Sequence, residues 1–148
     1  MDVGEMKRYI CATFAGVSAP EANGDTFFVY DPDRDLPAER QLPFATLVTG
    51  DHYDDASALS RPGAWRLNIG LPRAAYAALL PGRGGSDADV DHTAADVLLP
   101  HPVYAGQHWV CVVNPGEATL GTVRQLLAEA YEFAVRRHLN HRNRRASS

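Results

Sequence analysis

The stretch "AWRLNIGL", residues 64–71, constrains the fold more than any other. Trp65, Leu67, Ile69 and Leu71 alternate with Arg66, Asn68 and Gly70. A period of two puts the apolar set on one side of an extended chain and the polar set on the other. The segment therefore reads as a strand with one face in a core. "QHWVCVVN", residues 107–114, is also extended, but it is apolar on both faces. Trp109, Cys111 and Val113 share one side, and His108, Val110, Val112 and Asn114 share the other. Such a strand belongs near the middle of a sheet, running from His108.

Two further β runs precede these. Within "DTFFVYDPD" a β run over residues 26–30 ends at the turn pair Asp31–Pro32, and "PFATLVT", residues 43–49, closes at Gly50. Together they suggest an antiparallel pair joined by a loop of about a dozen residues. Helices stand at both ends of the chain. Val3, Met6, Ile10 and Phe14 recur at helical spacing, with Gly16 as the stop signal. "PRAAYAALL" opens with proline at a first helical position and reads as a short helix. "TAADVLLP" reads as a helical turn. Leu120, Val123, Leu127, Ala130, Tyr131 and Ala134 form the inner stripe of a long closing helix. The order α, β, β, β, α, β, α predicts an α+β fold. Its antiparallel sheet of about four or more strands packs against the N- and C-terminal helices.

A chain of 148 residues, 45% of them hydrophobic, is long enough for a single core, expected over residues 1–139. Residues 140–148 are expected to form a flexible basic tail. No apolar run approaches the roughly 20 residues of a membrane span. The first residues are too acidic and interrupted for a signal peptide, so a cytoplasmic protein without a membrane partner is expected. Before Arg136 there are nine basic residues against eighteen acidic ones; Arg136 begins the last five arginines. An acidic body is a poor match for nucleic acid, which requires phosphate neutralisation. Cys11 and Cys111 lack metal-ligand spacing and read as small buried hydrophobes.

Several motifs fail on inspection. Asp87, Asp89 and Asp91 alternate as in a calcium loop, but the required glycine and glutamate positions hold His92 and Leu98. "PGRGGSD" lacks the Lys-Ser/Thr of a phosphate-binding loop. His138 and His141 have a spacing that could share a metal, but no carboxylate accompanies them. No metal and no cofactor is expected. "DHYDD", residues 51–55, follows a strand directly, so Asp51, His52 and Asp54 are expected at a sheet rim, as acid–base groups or as turn caps.

The richest constellation is "HPVYAGQHWVCVVNP", residues 101–115. Pro102 holds His101 extended, and a loop with Tyr104 leads to His108 and Trp109. Imidazole and phenol at a strand mouth can carry protons; the same groups can also be core edges with satisfied polar tips. Arg66 and Asn68 are expected beside them.

"DTFFVYDPD", "PFATLVT", "RPGAWRLNIGL", "LLPHPVYAGQHWVCVVNP" and "LLAEAYEFAVRRH" together resemble a bacterial family catalogued as domain of unknown function 6194. The resemblance covers about residues 5–139. The element order also resembles the wider MmcQ/YjbR-like group, in which a His-Trp pair opens a late strand before a long helix bearing a tyrosine. His108–Trp109 and Tyr131 match those places. This likeness implies an α+β domain. It also associates the chain with specialised metabolism. Some of that group are described as DNA-binding, but Gln107 stands here where a basic residue is usual.

These observations lead to a small-molecule-binding domain or a cofactor-independent enzyme, monomeric or homodimeric. His101, Tyr104 and His108 are its expected acid–base groups. Trp109, Arg66 and Asn68 are expected to bind ligand, with Tyr30, His52 and Tyr53 at the rim, all converging on one cavity. The alternatives are a nucleic-acid-binding module using the basic tail, and a non-catalytic interaction domain.

Overall fold

The computed structural model describes residues 1–80 and 90–146. Helix α1, Val3–Thr13, starts at a reciprocal cap: Glu5 N–H donates to the Asp2 carboxylate at 2.8 Å, and Asp2 N–H donates to Glu5 at 3.1 Å. Strands β1 (Val17–Ser18), β2 (Glu21–Ala22) and β3 (Asp25–Tyr30) follow. The sequence reading had only β3. The "NG" turn at Asn23–Gly24, with φ 57° and 83°, folds β2 back onto β3 as a tight hairpin. β1 and β2 are parts of one edge segment, separated at Ala19 and Pro20. Proline lacks the N–H that a continuous ladder needs, and an edge tolerates this.

Strand β4 is Ala45–Val48, β5 is Arg66–Gly70, β6 is Leu99–Pro100 and β7 is Trp109–Val113. Helix α2, Arg73–Leu79, lies between β5 and β6, and α3, Leu120–Ala146, closes the fold. The strands among the described residues make one antiparallel sheet of seven, ordered β1-β3-β4-β5-β7-β6 with β2 also on β3. The α+β architecture and the β3–β4 antiparallel pair are those read from the sequence.

Registry sorts the two faces. Ala45 pairs with Ile69 and Ile69 with Val110; Leu47 pairs with Leu67 and Leu67 with Val112. These side chains, with Phe28, meet Met6 and Ile10 of α1, Phe14 just after it, and Val123, Leu126, Leu127 and Ala130 of α3. Each large side chain buried there stabilises the fold by about 1.5–3 kcal/mol.

The opposite face carries Thr46, Val48, Arg66, Asn68, Cys111 and Val113. It is covered by the loops that precede β5 and β6, with Leu59 and Ala64 packed on Val48 and Val113. That loop layer explains why β7 is apolar on both sides although it lies second from the sheet edge, not near its middle. The edge itself is β6, within residues expected as a helical turn. One of the loops is fastened to the start of α3 by Asp96. Its carboxylate accepts from the N–H groups of Gly116 (2.8 Å), Ala118 (3.0 Å) and Thr119 (3.1 Å), and from the Thr119 hydroxyl.

Two other expectations change. The expected tail from residue 140 continues α3 to Ala146. No glycine or proline interrupts residues 122–146, and Arg142 pairs with Asp33 of the loop after β3. Cys11 is exposed on α1, whereas Cys111 is buried; both are free thiols. The glycine-rich run and Asp87 and Asp89 of the calcium-like run lie outside the described residues. Asp91 accepts from Thr93 N–H at 3.0 Å and from the Thr93 hydroxyl, as a turn residue does.

Candidate functional site

The first polar assembly lies on the loop-covered face of the sheet. Arg66 is 1% exposed. Its Nη1 and Nη2 donate to the two carboxylate oxygens of Asp54 at 3.0 and 2.7 Å. Nη1 also reaches the Ser57 hydroxyl at 3.0 Å, and Nε donates to Asn68 Oδ1 at 2.9 Å. The Asn68 amide in turn donates to the Thr46 hydroxyl at 2.9 Å. β5 supplies Arg66 and Asn68 on alternate residues, and the loop after β4 brings Asp54 and Ser57 over them. Hydrogen bonds from Arg66 hold the Asp54 carboxyl below its usual range, against burial, which acts the other way. Four hydrogen bonds from a guanidinium this buried make it a structural bracket. The anion paired with Arg66 is the Asp54 carboxylate of the same chain.

His101 adjoins this bracket. Its Nδ1 accepts from the N–H groups of Val103 (3.0 Å) and Tyr104 (2.9 Å), closing the His-Pro turn. Burial, reinforced by the Arg66 charge, lowers its pKa to about 4. The imidazole is therefore neutral near pH 7 with Nδ1 already committed, so it braces a turn. Tyr104 stacks beside it, ring centres 5.1 Å apart, and is 52% exposed; Trp109 lies 6.5 Å away. Burial pushes the Cys111 thiol up to about 12, and its Sγ–H faces the Pro100 carbonyl at 3.7 Å.

The remaining expected residues scatter. His108 is not a strand residue. It ends a short 3-10 turn, Ala105–Gln107, in the left-handed region at φ 71°, and its ring meets Tyr76 of α2 at 5.7 Å. His52 folds over Gly50, and Tyr53 sits edge-on to Phe27. Asp51 accepts from Leu59 N–H at 2.9 Å and from the Ser60 hydroxyl, so it caps its own loop. Of the nine expected residues, Tyr30 and Trp109 line the cleft described next.

That cleft, of about 370 Å³, lies where α3 runs beyond the sheet. One wall is the α3 stripe of Ala130, Phe133, Ala134, Arg137, His138, Asn140, His141 and Arg144. The facing wall is the loop between β3 and β4, through Leu36, Arg40, Leu42, Pro43 and Phe44. Tyr30, Gly70, Leu71, Gln107 and Trp109 close the end nearest the sheet. Gly70 is required there, because a Cβ on it would stand 2.7 Å from the Trp109 indole. Registry makes the two direct cross-strand partners.

The lining has three arginines, two histidines and no Asp or Glu. Arg137 is held over the Phe133 ring, 5.5 Å from its centre. Among the described residues, no carboxylate lies within ion-pair distance of Arg40, Arg137 or Arg144. His138 packs against Tyr30, ring centres 5.2 Å apart, and its Nε2 is shielded from solvent without a hydrogen bond. These basic groups were not among the expected site residues: Arg40 was read in a polar loop, Arg137 and His138 inside the domain, and His141 and Arg144 in the tail. The signal was present: Ala130, Ala134, Arg137, His141 and Arg144 keep helical spacing without a break. Among the described residues no group of three or more His, Cys, Asp or Glu could hold a metal, and no helix is long and apolar enough to cross a membrane.

No curated protein and no solved structure matches the chain. Residues 1–145 match a family whose description is "Family of unknown function (DUF6194)". With the match spanning nearly the whole fold just described, the chain belongs to that family.

Proposed function

We propose that this is a small-molecule-binding domain whose ligand is an anion seated in the cleft beneath the overhanging end of α3. The observation that carries the reading is the charge of the lining. Arg40, Arg137, Arg144, His138 and His141 surround the space without a single Asp or Glu. Before Arg136 the chain is acidic by two to one. Gathering three arginines in one concavity raises the local concentration of anions. The volume of about 370 Å³ is within the roughly 300–1,000 Å³ typical of ligand pockets. Aromatic and aliphatic walls beside a few cations are the usual composition of such a pocket.

The reading is one of binding. It leaves His101 and Tyr104 to the fold, because the imidazole is neutral and its Nδ1 is occupied by two backbone donors. Membership of the wider MmcQ/YjbR-like group and a place in specialised metabolism are proposed on the sequence resemblance alone.

The test is isothermal titration of the protein with inorganic phosphate, benzoate and decanoate, at low and high salt. At least one anion is expected to bind. Arg137→Ala/Arg144→Ala is expected to weaken it tenfold or more, and added salt is expected to weaken it as well. Binding indifferent to both changes, or no binding by any probe, refutes the reading.

A further inference from the structure

The wall of the cleft changes character along α3. Ala130 and Ala134 come first, then Arg137, His141 and Arg144, all on one stripe. At 1.5 Å per residue, Ala130 and Arg137 are about 10 Å apart along the axis, and Arg144 lies about 10 Å further. The apolar end of the stripe lies toward the sheet. There Phe44 packs against Tyr131 of the same helix, and Gly70 N–H donates to the Phe44 carbonyl at 2.9 Å. Further along α3, His138 meets Tyr30 at the end of β3, and Arg142 pairs with Asp33 of the loop that follows that strand. The cleft is therefore apolar at its sheet end and cationic at its outer end.

Resting on the anion-binding reading, we infer that the ligand is an elongated amphipathic monoanion, an apolar chain or ring system ending in one acidic group. Its body lies against Phe44, Leu71, Trp109 and Ala134. Its acid group lies among Arg137, Arg144 and the facing Arg40. Charge complementarity fixes this direction: reversal would place the anion among apolar walls and the body among guanidinium groups, both unfavourable. A compact polyanion would leave the apolar end unfilled. An uncharged amphiphile would leave the arginines without a partner.

Titration of the full chain with octanoate, decanoate, 1-octanol and inorganic phosphate tests this. Decanoate is expected to bind roughly tenfold more tightly than octanoate, since two further methylenes are buried. 1-Octanol and phosphate are each expected to bind at least tenfold more weakly than decanoate. Arg137→Ala/Arg144→Ala should weaken the carboxylates and leave 1-octanol unchanged. If phosphate and both carboxylates bind alike and all are lost in that variant, the anion site stands and the amphipathic ligand is overturned. If 1-octanol binds as well as octanoate and the variant changes nothing, or if no probe binds, both are overturned.

Discussion

Arg66 and Asp54 meet in a two-point ion pair, Nη1 to Oδ1 at 3.0 Å and Nη2 to Oδ2 at 2.7 Å, with the arginine side chain 1% exposed. Strand β5 places Arg66 on the loop-covered face, and Asp54 arrives from a loop that has no regular structure of its own. The pair ties that loop to the sheet. Removing one partner strands a buried charge, which is costlier than never having had the pair. Asp54→Ala should therefore lower stability by about 3 kcal/mol, with Arg66→Met restoring part of the loss in the double variant. Denaturant unfolding of the parent, Asp54→Ala and the double variant measures this. Equal stability of Asp54→Ala and the parent would show the pair to be dispensable.

His101 predicts a pH dependence. Its folded pKa, lowered to about 4, lies below the ordinary histidine value of 6.5. Between these values the unfolded chain binds the proton and the folded one does not. Stability should thus fall as pH drops from about 7 to about 4, by about 3 kcal/mol at most from this group. Asp54, whose carboxyl is held low by Arg66, adds a further loss as pH falls below the ordinary carboxylate range. In His101→Asn, an amide oxygen can accept the same two backbone N–H groups without titrating. Melting temperatures of that variant should be flatter between pH 4 and 6.5 than those of the parent.

Gly70 has no room for a methyl group, since the Trp109 indole lies 2.7 Å from where its Cβ would be. Gly70→Ala should displace the indole, costing about 1–3 kcal/mol as overpacking does. Tryptophan emission should shift with it, because Trp109 lines the cleft and Trp65 is buried in the core. An unchanged spectrum and unchanged stability would mean that the ring moves aside freely.

Asp96 collects three backbone N–H groups and a hydroxyl at the start of α3. Asp96→Ala should lower the melting temperature by a few degrees through loss of this cap. Asp96→Asn keeps an acceptor oxygen and should recover part of the loss. Amide exchange should show faster opening at residues 116–122 in the alanine variant.

The sequence by itself determined the layers of this protein. The alternation of Trp65, Leu67, Ile69 and Leu71 placed β5 with one face on the core, and the stripe through Val123, Leu127 and Ala130 placed α3 against that face. Both patterns are local, because a strand or helix repeats its geometry every few residues. The hairpin at Asn23–Gly24 was equally local; its turn residues announce it, although strands of two residues show no periodicity. Only the tertiary structure decided which polar groups meet. Arg66 and Asp54 are twelve residues apart, and the loop that closes on the sheet brings them together. His101 and His108 stand seven residues apart in one loop, yet a left-handed turn at His108 sends the second ring to α2. The cleft follows the same logic. Arg137 and Arg144 belong to a legible helix, but the space they line exists because α3 outruns the sheet and the β3–β4 loop rises beside it. Periodicity reports the face a side chain takes on its own element; how far an element overhangs its neighbour depends on how the separate elements pack.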